Sequence, residues 1–292
     1  MQIAVFGRTI NDGRTEYIKT LYQSLSVRNA NMLIFEPFYK ITKELLPVES
    51  RVQIFNTHQE LIQNASCMLT IGGDGTLLEA ITFIRNSNLP VLGINTGRLG
   101  FLSGFSKEEI DLAVDMALNL HFTIEKRTLI QIETNQPYFG ETPFALNEVT
   151  FHKKDNSSMI TLQVAINGMS LNTYWADGLI IATPTGSTGY SLSCGGPIIM
   201  PESQSIVLTP IAPHNLNVRP LVISDSNQLS ISAEIRGRNF LVSLDSRSAA
   251  LSANEQILIK KAPFSISLGR KPDQTFLQTL REKLNWGLDK RN

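Results

Sequence analysis

One segment of the sequence carries residue types that could handle a phosphate directly: Ile71-Gly72-Gly73-Asp74-Gly75-Thr76-Leu77-Leu78. An apolar, strand-like run (67–71) leads into it. A helical run (76–85), with Leu77, Leu78, Ile81 and Ile84 apolar, leads out. Glycines let the backbone approach an anion without Cβ contacts, and a helix N-terminus offers that anion free amides and a positive dipole end. Asp74 stands among those donors, where a lone carboxylate can accept a hydroxyl proton or help to hold a metal ion. The plainer reading is a tight turn with Asp74 as a helix cap. No G-x-x-x-x-G-K-[ST] occurs, and no G-x-G-x-x-G follows the first strand-like run, which disfavours a P-loop and an ordinary dehydrogenase site.

Three further segments have the composition of a nucleotide site. Asn95-Thr96-Gly97-Arg98-Leu99-Gly100-Phe101-Leu102-Ser103 is a second glycine-rich turn after an apolar run. It would complete the mouth of a cleft, or be a surface loop. In Asn147-Glu148, an amide beside a carboxylate can bind an adenine edge and a ribose diol; a solvated strand pair is the plain alternative. The longest segment begins at Trp175-Ala176-Asp177-Gly178 and runs through Thr183-Pro184-Thr185-Gly186-Ser187-Thr188-Gly189-Tyr190-Ser191-Leu192-Ser193 to Cys194-Gly195-Gly196-Pro197. Its amides, hydroxyls and single aromatic ring, Tyr190, suit a sugar-phosphate and a stacked base.

The elements that must position these residues fall into two textures. Up to about residue 122, strand-like runs (3–6, 32–35, 52–55, 67–71, 91–94) alternate with helical ones (15–27, 40–46, 58–64, 76–85, 107–118). That alternation predicts a mostly parallel sheet covered on both faces. In such sheets ligands bind beyond the strands' carboxyl ends. From Phe122 onward the chain becomes a series of short strand-like runs (128–134, 145–152, 159–166, 179–183, 206–209, 221–224, 229–233, 240–244, 257–260) between Asn-Gly, Gly-Gly and Pro-containing turns. A helix is expected near Thr188. An amphipathic run, 275–286, closes the chain with Phe276, Leu277, Leu280, Leu284 and Trp286 apolar. The expected organisation is a Rossmann-like α/β domain (1–122), an all-β domain (123–268) and a closing helix (269–292) that returns to the first domain.

Composition narrows the classes. The chain has 292 residues, 42% hydrophobic and 18% charged, which supports a packed core and argues against disorder. Its 26 basic and 26 acidic side chains cancel, which argues against a nucleic-acid partner. The first residues, Met1-Gln2-Ile3-Ala4-Val5-Phe6-Gly7, read as a strand rather than a signal peptide, and no apolar run reaches the length of a membrane span. The two cysteines lie far apart and suggest a reducing compartment. The four histidines show no metal-binding spacing.

Taken together and in this order, the four segments resemble the NAD kinase family. That family combines Gly-Gly-Asp-Gly, N-x-G-x-L-G-F-L, Asn-Glu and a D-G-[apolar]₃-[ST]-T-P-T-G-S-T-[AG]-Y-S-L-S-[AC]-G-G-P run. The stretch 177–197 is the most specific part, residues 276–287 are similar to the family's closing helix, and the resemblance covers about residues 1–287. It implies an NAD site between the two domains, ATP or another phosphoryl donor, and a divalent metal, Mg²⁺, carried by that donor. It also implies a cytoplasmic homo-oligomer, dimer or tetramer, without membrane or nucleic-acid partners, in which a neighbouring subunit completes the site.

By that resemblance Asp74 is the general base for the 2′-hydroxyl of the adenosine ribose, and Gly72, Gly73 and Gly75 supply amides. Asn147 and Glu148 contact the adenosine end. Thr188, Tyr190 and Ser193 line the NAD pocket, with Thr185, Gly189, Ser191 and Leu192 from the same run, and Asp177 is a binding residue. Three positions depart from the family pattern. Glu79 stands where many members carry a basic residue, and Trp175 where the residue is often polar. Leu244-Asp245-Ser246-Arg247 replaces the frequent Asp-Gly-Gln, which makes Arg247 a candidate ligand. A lipid kinase can share the Gly-Gly-Asp-Gly-Thr loop, and a nucleotide-sensing protein could use the same pocket. The 177–197 segment speaks against the first and Asp74 against the second.

Overall fold

A computed structural model describes residues 1–8, 15–97, 100–154, 159–235 and 239–287. Arg98 and Leu99 of the second glycine-rich segment, and residues 288–292 of the closing segment, lie outside the described residues. The chain forms two compact units, Met1–Lys126 with Ile266–Asn292, and Arg127–Ser265. It passes from one to the other within strands rather than in linkers, a few residues from the changes of texture at 122 and 268.

In the first unit the elements run β1 (Gln2–Phe6), α1 (Thr15–Val27), β2 (Asn31–Phe35), α2 (Glu36–Thr42), β3 (Arg51–Phe55), α3 (His58–Asn64), β4 (Cys67–Gly72), α4 (Asp74–Ile84), β5 (Val91–Asn95), β6 (Phe105–Ser106) and α5 (Ile110–Asn119). The strands pair in parallel in the order β3-β2-β1-β4-β5. Strands β4 and β5 are buried at every position, as expected for a sheet covered on both faces. The chain order reverses between β1 and β4, so the carboxyl end of β4, where the Gly-Gly-Asp-Gly segment begins, lies at the switch point where such sheets take ligands.

Helix α1 buries Ile18, Leu21, Tyr22 and Leu25, and α3 opens with a reciprocal Thr57–Glu60 capping box. The helix expected over 40–46 lies earlier, at α2, followed by a 3₁₀ turn over Lys43–Leu45. Pro37 explains the shift: it fits the first helical turn, where no amide is needed. The helix expected over 107–118 begins as a 3₁₀ turn, Lys107–Glu109, before α5.

The second unit contains most of β7 (Thr123–Glu133), then β8 (Phe144–Ala145), β9 (Glu148–His152), β10 (Ile160–Ile166), β11 (Met169–Ala176), β12 (Gly178–Ala182), a 3₁₀ turn (Gly186–Thr188), α6 (Tyr190–Ser193), β13 (Ser205–Ile211), β14 (Leu221–Ser224), β15 (Leu229–Glu234), β16 (Asn239–Leu244), β17 (Arg247–Ser252) and most of β18 (Ile257–Arg270). One antiparallel sheet runs β14-β13-β12-β9-β16-β17; a second contains β11-β10-β15-β18, with β7 pairing β18 and β8. Phe151, Leu179, Leu208, Phe240 and Val242 from the first pack with Leu162, Val164, Ile231 and Ile259 from the second. The other face of β12 is also buried, with Ile180 and Ala182 against Ile199, Val207 and Ile211.

Several strands differ from the sequence expectation. The run 145–152 breaks into β8 and β9, with Leu146-Asn147 between them. Strand β11 was not expected because Ser170, Asn172 and Thr173 blur its alternation. It forms a hairpin with β10 through Asn167 (φ +50°) and Gly168 (φ +81°), both left-handed as a tight primed turn requires. Small residues hid β17 in the same way. Strand β18 runs ten residues past Lys260, and its Leu268 pairs with Val91 of β5.

The last element, α7 (Phe276–Leu284), belongs to the first unit. A Thr275–Gln278 capping box opens it, and Asn285 in the left-handed conformation closes it. It buries Thr279 and Leu280, and Phe276 lies 6.4 Å from the Phe101 ring. Leu277 and Trp286, expected on the apolar face, are half exposed. Leu280→Ala should therefore lower the unfolding free energy by about 2–4 kcal/mol, and Leu277→Ala by less than about 1 kcal/mol. Urea titrations of both variants compare them, and equal losses would mean that α7 does not dock through Leu280.

Candidate active site

Strand β4 delivers the backbone to Gly72, whose φ of +155° and whose closeness to Thr76 both require glycine: a Cβ would lie 2.3 Å from Thr76 Oγ1. Gly73 is the N-cap of α4 and offers no side-chain cap. Asp74 is therefore the first helical residue, and the amides of Asp74 and Gly75 are among those with no acceptor inside the helix. A Cβ added at Gly73 or Gly75 would meet no protein atom within 4 Å, so these two glycines leave the amides open rather than easing a packed contact.

The Asp74 side chain does not cap its own helix. Its Oδ2 accepts the amides of Phe101 (2.8 Å) and Leu102 (3.2 Å), and its Oδ1 accepts the amide and the hydroxyl of Ser103 (3.2 Å each). The two glycine-rich segments are joined again where the Thr96 amide donates to the Gly72 carbonyl at 3.1 Å. Asn95 Oδ1 accepts the Gly97 amide at 2.9 Å and tightens the second turn. Gly100 is fixed by Asp74, because a Cβ there would stand 1.8 Å from Oδ1. Glu79, one turn along α4, pairs with Arg8 beyond β1 at 2.5 Å.

In the second unit, Asn147 and Glu148 sit at the break between β8 and β9. The Asp245 carboxylate makes this bend by accepting three consecutive amides: Leu146 (2.9 Å), Asn147 (2.8 Å) and Glu148 (3.2 Å). The Asp245 amide in turn donates to the Glu148 carbonyl at 3.1 Å. Asp245 occupies a two-residue turn with φ +52°, a conformation that aspartate tolerates better than most residues. Burial pushes its carboxyl up, opposed by the three amides and the nearby Arg247 guanidinium.

The segment after β12 closes on the same bend. The Thr183 amide donates to the Asn147 carbonyl (2.9 Å) and its hydroxyl to the Leu146 carbonyl (2.5 Å). A Cβ on Gly186 would lie 2.1 Å from the Asn147 oxygen, and one on Gly189 would lie 3.3 Å from Glu148 Oε2. Glu148 Oε2 is buried without a hydrogen-bond partner. Burial, reinforced by the Asp245 charge, pushes its carboxyl up to about 8, so it holds its proton through neutral pH.

The remaining expected residues divide by exposure. Thr185 is buried and accepts Arg127 Nη1 (3.2 Å), and Thr188 donates to the Thr185 carbonyl (3.2 Å). Ser191 is buried against Thr209 (2.7 Å), while Leu192 is partly buried and Ser193 exposed. Tyr190 is exposed; burial of part of its ring, with Cys194 and Asp177 nearby, pushes its hydroxyl up. Asp177 pairs with Lys153 Nζ at 2.6 Å. Trp175 is 45% exposed on β11. Arg247 is spent on Thr142 and the Phe144 carbonyl, and it is Asp245 that contacts the Asn147-Glu148 bend. Sequence reasoning named the 95–103 segment and Asp245 but assigned neither the 101–103 amides and Ser103 as partners of Asp74 nor Asp245 as the organiser of the Asn147-Glu148 bend. The signal for Asp245 was its place in the Leu244-Asp245-Ser246-Arg247 run set against the family's Asp-Gly-Gln. Among the described residues, no group of three His, Cys, Asp or Glu side chains could hold an ion, and no helix is long and apolar enough to cross a membrane.

Residues 3–122 match the family model of the ATP-NAD kinase N-terminal domain, and residues 146–270 that of the ATP-NAD kinase C-terminal domain. The chain is 47% identical to the NAD kinase of Flavobacterium psychrophilum over 294 residues, covering 100% of both. It is 42% identical to the NAD kinase of Bacteroides fragilis over 291 residues, again covering 100% of both. The yeast NADH kinase complexed with NADH shares the fold at a TM-score of 0.89 and 23% identity, over 100% of this chain and 89% of that one. An Archaeoglobus fulgidus NAD kinase in complex with ATP aligns with a TM-score of 0.75 and 26% identity, over 98% of this chain and 99% of that one.

The state of Glu148 has a thermodynamic consequence. Its carboxyl titrates near 8 when folded, against an ordinary value of 4.5. Between those values the folded state keeps a proton that the unfolded state has lost, so this group's stabilisation is complete below 4.5 and fades as pH rises toward 8. Glu148→Gln removes the titration. Its stability relative to the native protein should rise between pH 5 and pH 9 by at least about 1.4 kcal/mol, the equivalent of one pKa unit. Denaturant titrations across that range test this, and parallel stability profiles would refute a buried, protonated Glu148.

Proposed function

The chain belongs to the NAD kinase family, and from that premise we propose that it transfers the γ-phosphoryl group of ATP to the 2′-hydroxyl of the adenosine ribose of NAD, with Asp74 as general base. The observation that carries this reading is the Asp74 carboxylate, fixed by four donors at the start of α4 beside the open Gly73 and Gly75 positions. Phosphoryl transfer needs positioning and charge neutralisation more than covalent chemistry. The hydroxyl oxygen attacks the γ-phosphorus, the bond from that phosphorus to the bridging oxygen breaks, ADP leaves, and the hydroxyl proton goes to Asp74. A carboxylate has about four acceptor positions, and all of them are filled here. The Ser103 hydroxyl is the one donor that can rotate away without moving the backbone, so Oδ1 is the oxygen assigned to take the proton.

The amides at the α4 N-terminus face the donor's phosphates. Asn147 and Glu148 hold the adenosine end of NAD, and Thr188, Tyr190 and Ser193 line the rest of its pocket. A divalent ion, Mg²⁺, neutralises phosphate charge when bound. It would arrive carried by the phosphoryl donor and would need few ligands from the protein. The reading extends to a cytoplasmic homo-oligomer, dimer or tetramer. It is supported by free thiols at Cys67 and Cys194, and by apolar Met169, Leu216 and Val222 exposed on the second unit.

The test is NADP formation by the purified protein with NAD, ATP and Mg²⁺, compared with Asp74→Asn. Turnover of the variant should fall by about 10²–10⁴. Asparagine also turns an NH₂ group toward amide donors that the carboxylate accepted, so stability should drop by about 1–3 kcal/mol. NAD affinity, measured by titration, should persist. NADP formation by Asp74→Asn near the native rate would remove the general base from the mechanism.

A further inference from the structure

We propose that Arg270 is a positioning residue for this reaction, orienting the Asp74 carboxylate through the peptide that joins Phe101 to Leu102. The proposal rests on the reading of Asp74 as general base. The geometry is a relay within the first unit. Arg270 ends β18 and is buried, its side chain 8% exposed. Its Nε donates to Glu125 Oε2 on β7 at 2.9 Å, and its Nη2 donates to the Phe101 carbonyl at 2.9 Å. That carbonyl belongs to the same planar peptide unit as the Leu102 amide, which donates to Asp74 Oδ2 at 3.2 Å. Because the carbonyl and N–H of a trans peptide point in opposite directions, fixing one on a guanidinium aims the other at the carboxylate. The cation also polarises the unit, which strengthens the amide as a donor.

The loop needs such an anchor. Residues 100–104 belong to no strand or helix, yet three of their amides and one hydroxyl determine where Asp74 points. The Arg270 stem runs across Gly104, where a Cβ would lie 3.5 Å from both Cδ and Nη1. Glu125 balances the charge and holds the guanidinium plane. A lysine at position 270 would keep the charge, but its single ammonium lacks the planar fork that reaches both Glu125 and Phe101.

A double-mutant cycle tests the relay, using Arg270→Lys, Asp74→Asn and the double variant of the full-length protein. Steady-state kinetics in NAD and ATP and thermal melts are measured for each. A sub-ångström displacement of the base lowers kcat by about 10–10²-fold. The expected result is therefore such a fall for Arg270→Lys alone, with KM for NAD within about threefold of native. In the Asp74→Asn background the same substitution should change the residual rate by less than about twofold, since the group it positions is gone. Equal fold-losses in both backgrounds, or a native kcat for Arg270→Lys, would overturn the proposal while leaving Asp74 as base. A native kcat for Asp74→Asn would instead overturn the base reading, and this proposal with it. Should Arg270→Lys not fold, Glu125→Gln replaces it: the Arg270–Phe101 bond survives beside a weaker partner, and a smaller fall in kcat with the same loss of effect in Asp74→Asn is expected. No fall, or an additive one, would overturn the relay.

Discussion

A carboxylate can accept about four hydrogen bonds, and in the first unit the four accepted by Asp74 bind one glycine-rich turn to another. Much else follows from that satisfaction. The loop 100–104, with no strand or helix of its own, and the carboxylate hold each other in place. Gly100 must be glycine because the carboxylate passes where its Cβ would be. The helix that begins at Asp74 is left without a side-chain cap, which keeps its first amides open. A capping side chain in place of Gly73 would add only about a few tenths of a kcal/mol to α4.

The second unit repeats the device in a different setting. Asp245 accepts three consecutive amides and bends the chain so that Asn147 and Glu148 leave the strand together. Here the organising carboxylate is buried and its neighbour Glu148 bears the electrostatic consequence, holding a proton in a site short of hydrogen-bond donors. Thr183 and Gly186 pack against the same bend, so the hydroxyl- and glycine-rich run after β12 clamps it. Ser187 and Ser191 are buried and bonded to the Pro184 carbonyl and Thr209, which gives them packing roles in a stretch that otherwise reads as binding surface.

Short-range physics made much of the architecture legible in the sequence. Continuous apolar runs such as Cys67–Gly72 announced strands buried on both faces, Thr15–Val27 and His58–Asn64 carried a helical period, and Gly-Gly-Asp-Gly after a strand announced the turn into a helix. The change of texture near Phe122 marked the second architecture. Strands β11 and β17 were lost because serine, threonine and alanine weaken the alternation, and the length of β18 past Lys260 because Lys260-Lys261-Ala262-Pro263 interrupts it.

What the sequence determined by itself was therefore most of the elements and the candidate side chains, since period, glycine placement and capping act within a few residues. The tertiary structure alone decided what those side chains touch. Asp74 turns away from its own helix to amides 27–29 residues away, Asp245 reaches back 97–99 residues to make the Asn147-Glu148 bend, and Arg270 grips a carbonyl 169 residues earlier. These bonds join groups with no sequence relationship. They form because a carboxylate or guanidinium drawn even partly out of water must find partners wherever the fold brings them, and backbone amides, which every residue but proline carries, leave no trace in the sequence of which will be chosen.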